Sequence, residues 1–319
     1  PINKIGTYMG IGGLIMSLAP AFGPTYGGFM IAHFSWQWIF LLTLPVPVIA
    51  LIISYFSLEN SPKTSKRPFD FISFLLLAIA LSFFLILISG LESGSLNWLA
   101  LIIFGFALIF FVFRSLKLQT PFLDIRILKQ APVLLGLIPF FIYQFSNLAS
   151  NFVIPNFLVQ AEHISTTIAG FVLLPGTLLG GILAPFFGKL YDLKGPKLSL
   201  YWGNTLFAVS LGIFALWINS LTIMLMILVY IIFTFGRNMA FNNIMAVAIS
   251  QLPKNKTADA IFQMMQQFAG ALGTALSSVA LQLAPNMTSG VKFIFSTLFI
   301  LVILIFFCFK MLFASLKKY

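Results

Sequence analysis

Arg237 stands inside an apolar run of about 30 residues, 221–250, that contains no acidic residue. Thr234, Asn238, Asn242 and Asn243 share the run with it. Two other runs carry amide side chains on one helical face. Gln144, Asn147 and Asn151 fall within about 60° of each other at 100° per residue, and Gln263, Gln266, Gln267, Gly270 and Thr274 share a face by the same count. Amides and a guanidinium at such spacing hydrogen-bond to a neighbour, to water or to a polar ligand; they are not the makings of catalysis. No nucleophile and base stand at a telling spacing, and His33 and His163 are isolated from any metal-ligand cluster. Cys308 is the one cysteine, which excludes an internal disulfide and a Cys-based metal site.

The surroundings decide what these groups are for. Of the 319 residues 60% are hydrophobic and 8% charged, with mean hydropathy +1.04, where soluble domains carry roughly 25% charged residues. A chain this apolar has lipid for its solvent, and its lipid-bound backbone must satisfy itself within helices. Ten segments are long enough to span: 5–31, 36–58, 69–90, 97–114, 131–154, 167–188, 198–218, 221–250, 258–283 and 291–313. They lack the alternation of barrel strands. The net charge of +11 does not mark a nucleic-acid binder, because the basic residues sit in short clusters between apolar runs. Sixteen of them fall on one set of connections and Lys292 alone on the alternate set. This asymmetry predicts both ends of the chain on the cytoplasmic side of a cell membrane.

At bilayer depth an amide pair is worth about 0.6 kcal/mol as glue between helices, so simple packing remains open for any single Asn or Gln. Three polar faces in one bundle favour a shared aqueous pathway, with Gln144, Asn147, Asn151, Arg237, Asn238, Asn242, Gln263 and Gln267 as its candidate lining. A charge at mid-span costs about 2.5–3.5 kcal/mol on insertion scales. Arg237 then either faces this pathway, paired with a carboxylate elsewhere or with a ligand, or snorkels to the inner surface. Tyr143, Phe140, Phe145 and Trp202 are aromatic enough to stack on a flat cation, although lipid-facing use is the commoner fate. Asp70 is placed to cap segment three, Thr257 and Asp259 segment nine, and residues 114–130 suit a short interfacial helix.

The first segment contains GLIMSLAPAFGPTYGG, residues 13–28. On one continuous helix Gly6, Gly10, Gly13, Ser17, Pro24 and Gly28 share a face within about 60°, which lets another helix approach closely. Gly23-Pro24-Thr25-Tyr26-Gly27-Gly28, followed by SWQWIF at 35–40, resembles the fifth helix of drug:proton antiporters in the major facilitator superfamily. Residues 188–197, GKLYDLKGPK, are similar to the superfamily's cytoplasmic loop pattern at Gly188, Leu190, Asp192, Gly195 and Lys197. KRPFDFISFLLL (66–77), TPFLDIRILK (120–129) and QLPKNKTADA with QQFAGALGTAL (251–276) extend the resemblance along nearly the whole chain.

The resemblance implies an all-α polytopic membrane protein of the fourteen-helix branch, with about ten helices here and four more before Pro1. Residues 1–58 become the last two helices of an N-terminal bundle, 59–118 an extra central pair, and 119–319 a six-helix C-terminal bundle. It implies a bacterial secondary transporter that exports lipophilic or amphipathic compounds on a proton gradient. No cofactor or nucleic acid is implied, and lipid and a small-molecule substrate are its partners. A same-fold carrier of an organic anion or metabolite stays open. It makes Gly23, Pro24, Gly27 and Gly28 a pliable, leak-tight helix between the two halves, and the 188–197 loop a latch.

Overall fold

The computed structural model describes residues 22–23, 25–57, 69–92, 94–250 and 258–316. They form helices and turns, with no strand among them. In chain order α1 covers 25–33, α2 Gln37–Thr43, α3 Pro45–Ser57, α4 Phe71–Glu92, α5 Trp98–Lys117, α6 Ala131–Gln160, α7 Thr166–Phe171, α8 Leu174–Ile182, α9 Ala184–Lys194, α10 Pro196–Trp217, α11 Ile223–Ser250, α12 Asp259–Leu283 and α13 Met287–Leu316. Helices stand at nine of the ten expected segments; most of the first, 5–31, lies outside the described residues. α4, α5, α6, α10, α11 and α13 are each long and apolar enough to cross a membrane, as is Gln37–Ser57 when α2 and α3 are taken together, and α7–α9 makes an eighth if counted as one bent span. α12 has the length, but its glutamine-bearing stretch leaves it outside that set.

Segment six is broken where continuity was expected. Between α8 and α9 the axis bends by 43°. Pro175 and Pro185 explain the interruptions, because each removes a backbone donor and crowds the preceding turn. At the bend the Leu183 amide turns back to the carbonyls of Gly181 and Leu179, and at the start of α8 the Thr177 hydroxyl donates to the carbonyls of Leu173 and Leu174, at 2.9 and 3.0 Å. The expected interfacial helix at 114–130 is reduced to a 3₁₀ turn, Ile125–Lys129, with Asp124 accepting from the Arg126 amide. Arg126 in turn caps the end of α5 by donating to the carbonyls of Leu116 and Leu118. Ala258, not Asp259, occupies the N-cap of α12, without a side-chain cap; Thr257 lies outside the described residues.

The buried core belongs mainly to α6, α10, α11, α12 and α13, where Phe140, Phe157, Phe207, Phe214, Phe233, Phe262, Phe295 and Phe309 have essentially no exposed surface. In lipid, apolar burial between helices gives little driving force, and close packing with interhelical hydrogen bonds carries the association. Three buried bridges do this. Tyr143 on α6 donates to Asn204 on α10 at 2.7 Å, and Asn204 donates on to the Val302 carbonyl of α13 at 3.1 Å. Asn243 donates to Ser199, which donates to the Met239 carbonyl at 2.6 Å. Thr234 donates to the Gly176 carbonyl at 2.8 Å. α4 and α5 pair with each other, and α4 also packs on α12. The apolar side chains left exposed, such as Leu51, Phe106 and Ile109, are those a bilayer would cover.

Asp70 does cap α4, accepting from the Ser73 amide at 3.3 Å. It also pairs with Arg114 of α5, which donates through Nε and Nη2 at 3.1 and 3.0 Å. Burial pushes the Asp70 carboxyl up, but the Ser73 hydroxyl and amide and the Arg114 guanidinium outweigh it and hold it below the ordinary carboxylate value. A depressed carboxyl stabilises the fold above its unfolded pKa of about 3.9, and that contribution is lost as pH falls through the lower folded value. Arg114 is about one-third exposed, so solvent screens the pair and its worth is about 1 kcal/mol. Asp70→Asn should therefore lower the melting temperature at neutral pH, and the gap to wild type should close below about pH 4. A gap independent of pH would show that the cap, not the charge, matters.

Candidate functional site

Midway along α6 and α11 the two polar faces meet. Arg237 donates from Nη2 to Gln144 Oε1 at 2.7 Å and from Nη1 to Asn238 Oδ1 at 2.9 Å. Its guanidinium lies 4.5 Å from the centre of the Phe241 ring, a cation–π distance. Phe241 stacks on Phe140 at 4.3 Å and 12°, and Phe140 meets Phe262 edge-on at 5.0 Å. A layered aromatic wall thus fixes the plane of the guanidinium. Arg237 reaches across to Gln144 on α6 while its guanidinium lies over Phe241, one turn further along α11. Its Nε is buried and has no hydrogen-bond partner among the described residues.

The other candidates divide. Asn147 lies in the same α6 stripe and is 6% exposed. Asn151, two turns from Gln144, accepts from the Tyr230 hydroxyl at 2.5 Å, so Tyr230 joins the α6–α11 seam. Nothing in its type or spacing singled it out, since a tyrosine in an apolar run reads as core. Gln263 and Gln267 are exposed on α12. Asn242 is exposed and sits about 140° round α11 from Arg237, so the structure does not bring it to the cluster. Among the aromatics considered as stacking platforms, Tyr143 and Phe140 are sealed in the core, and Trp202 is 59% exposed on the outside of α10.

The GPTYGG stretch meets the rest of the chain at the end away from the basic loops. Thr25 donates to the Gly170 carbonyl at 3.1 Å, and Thr166 donates to the Gly28 carbonyl at 3.2 Å. A Cβ on Gly28 would collide with the Thr166 carbonyl, whereas one on Gly23 or Gly27 would meet nothing within 4 Å. Gly28 is therefore the glycine that this contact requires. Pro24 lies outside the described residues, as do Gly6, Gly10, Gly13 and Ser17 of the expected small-residue face.

GKLYDLKGPK is not an open loop. Gly188, Leu190 and Asp192 belong to the last turns of α9, Gly195 closes that helix and opens α10, and Lys197 lies in the first turn of α10. Gly195 has φ +80°, the left-handed region where glycine carries no steric penalty. Asp192 is exposed, and Lys197 lies 5.5 Å from the Phe313 ring centre on α13.

Comparison with known proteins places this arrangement. Residues 1–277 match the family model described as Major Facilitator Superfamily. The chain is 32% identical over 285 residues to the lincomycin resistance protein LmrB of Bacillus subtilis, which covers 87% of this chain and 60% of that protein. It is 28% identical over 289 residues to a multidrug resistance protein B homolog of Mycobacterium tuberculosis, covering 88% of this chain and 54% of the relative. It is also 29% identical over 289 residues to the riboflavin transporter RibZ of Clostridioides difficile, covering 87% and 61%. The chain thus spans about 60% of the length of the first of these relatives. A chain whose described residues are helices and turns, with helices of membrane-spanning length, and whose residues 1–277 match the family model belongs to the major facilitator superfamily.

Proposed function

We propose that the protein is a secondary transporter of a bacterial cell membrane that exports lipophilic or amphipathic compounds. The observation that carries this reading is the similarity over most of the chain to a lincomycin resistance protein and a multidrug resistance protein homolog. Members of this superfamily act as carriers and not as enzymes, and the absence of a nucleophile–base spacing in the sequence is in keeping with that. A proton gradient is the energy source in this reading, and both termini of the chain face the cytoplasm, as the loop charges suggest. Residues 1–58 then contribute to one bundle, 59–118 form an inserted pair, and 119–319 form the second bundle. Transport proceeds by rocking of the bundles about a site near mid-membrane. The mid-helix seam of Gln144, Asn147, Asn151, Arg237 and Asn238 is the polar part of that site, with Gln263 and Gln267 on the adjoining helix. Gly28 and Thr166 hold the outer ends together in the state described here, and α9–Gly195–α10 is the latch on the inner side.

A second reading, carriage of a different small solute such as a metabolite, is favoured by the similarity to a riboflavin transporter and by the charge of Arg237. The test is the complete gene product expressed in bacteria that lack their own major pumps. Ethidium should accumulate less in those cells, and a protonophore should restore its accumulation. Equal accumulation with and without the protein, at confirmed membrane expression, would refute drug export and leave the second reading.

A further inference from the structure

We infer that Arg237 and Gln144 form the seat for one carboxylate-class anion between α6 and α11. The inference rests on the transport reading for the site's role, but its chemistry stands on the geometry alone. A guanidinium stays charged at any accessible pH and binds a carboxylate through two parallel N–H groups. Here one face of Arg237 is taken by the Phe241 ring. Nη1 gives one of its two N–H groups to Asn238 and Nη2 one of its two to Gln144, both to neutral amide oxygens, which leaves each nitrogen a second donor. Nε is buried and unpartnered among the described residues. Nε and Nη2 bound the same edge of the guanidinium, the edge on which a carboxylate sits bidentately.

The countercharge is not nearby. α6, α7, α8, α10, α11 and α13 contain no Asp or Glu; the acid of α12, Asp259, is its first residue, and that of α9, Asp192, is exposed in the last turn of its helix. The ion pair found among the described residues is Asp70–Arg114, on other helices. Neutral oxygens do not cancel a full charge that costs about 2.5–3.5 kcal/mol at mid-membrane. An anion on the Nε–Nη2 edge does. It comes from one of two sources: the carboxylate of a small-molecule ligand, or a carboxylate side chain of the gene product outside the described residues.

Thermal melts of the purified complete gene product separate these, with salicylate as the probe and salicylamide as its neutral isostere. If the source is a ligand, salicylate raises the wild-type melting temperature and salicylamide does not. The salicylate affinity then falls at least about tenfold in Arg237→Gln. It falls likewise in Gln144→Glu, which keeps the arginine but puts a competing carboxylate where Oε1 now lies 2.7 Å from Nη2. If the source is a side chain, salicylate has no effect on wild type. Arg237→Gln then leaves that carboxyl buried and unpaired with a raised pKa, so the variant gains stability between about pH 7.5 and 5.5 while wild type does not. Salicylate stabilisation that survives both substitutions overturns the inference. So does a wild type indifferent to salicylate with an Arg237→Gln variant that melts in parallel at both pH values. Should Arg237→Gln fail to fold, Gln144→Glu alone decides the ligand arm. These melts do not depend on transport, so loss of ethidium export with the melts as expected would sink the export reading and not this one.

Discussion

Gly28→Leu is expected to abolish export while leaving the protein in the membrane at normal amounts. The Thr166 carbonyl lies where the new Cβ would be, and the Thr166 hydroxyl donates to the Gly28 carbonyl at 3.2 Å. Overpacking of a close contact costs about 1–3 kcal/mol. In a molecule that alternates between two arrangements, that cost falls only on the one in which the outer ends touch. A bias of that size shifts the populations by about 5–150-fold, enough to trap the carrier in the other arrangement. Gly27→Ala is the matched control, since its Cβ meets nothing within 4 Å, and it should export at the wild-type rate. Ethidium efflux set against membrane abundance by immunoblot reads the difference. Equal loss of export and abundance in Gly28→Leu would mean that the contact serves folding and not motion.

Asn204→Ala should cost the C-terminal helices the most stability of any single polar substitution considered. Asn204 has no exposed surface and joins three helices through Tyr143 and Val302. Truncation orphans the Tyr143 hydroxyl, which has no exposure either; an orphaned buried donor costs about 1–3 kcal/mol, and the cavity adds to it. The double variant Asn204→Ala with Tyr143→Phe removes the orphan and should melt higher than Asn204→Ala alone. If adding Tyr143→Phe lowers the melting temperature further, the bridge is not what holds these helices together.

How much of this was legible beforehand depends on whether a feature is local or paired. The helices were legible because twenty apolar residues in lipid leave the backbone one option. Asp70 as a cap and Gly195 as a left-handed turn were legible because each acts within its own segment. The break before α8 was carried by Pro175 and the bend between α8 and α9 by Pro185, but prolines 139 and 155 sit inside an unbroken α6, so the residue type alone does not say which helix yields. The bridges Tyr143–Asn204, Tyr230–Asn151 and Ser199–Asn243 were not legible. Each depends on two residues of different helices meeting at one depth, and helical periodicity fixes a face but not its partner. Asn242 shows the converse: it shares a run with Arg237 but not its side of the helix. The Gly28 contact was half legible, since the glycine was marked by its motif and Thr166 by nothing.

The central claim is carriage of a lipophilic compound at the expense of a proton gradient, and reconstitution tests it most directly. The purified complete gene product is placed in sealed proteoliposomes, and a pH gradient is imposed across them. The account predicts that ethidium moves against its own gradient only while the pH gradient lasts, that a protonophore stops it at once, and that Gly28→Leu proteoliposomes show none of it. Ethidium movement unchanged by collapse of the pH gradient, or none at all from protein that is folded and correctly inserted, would contradict the account.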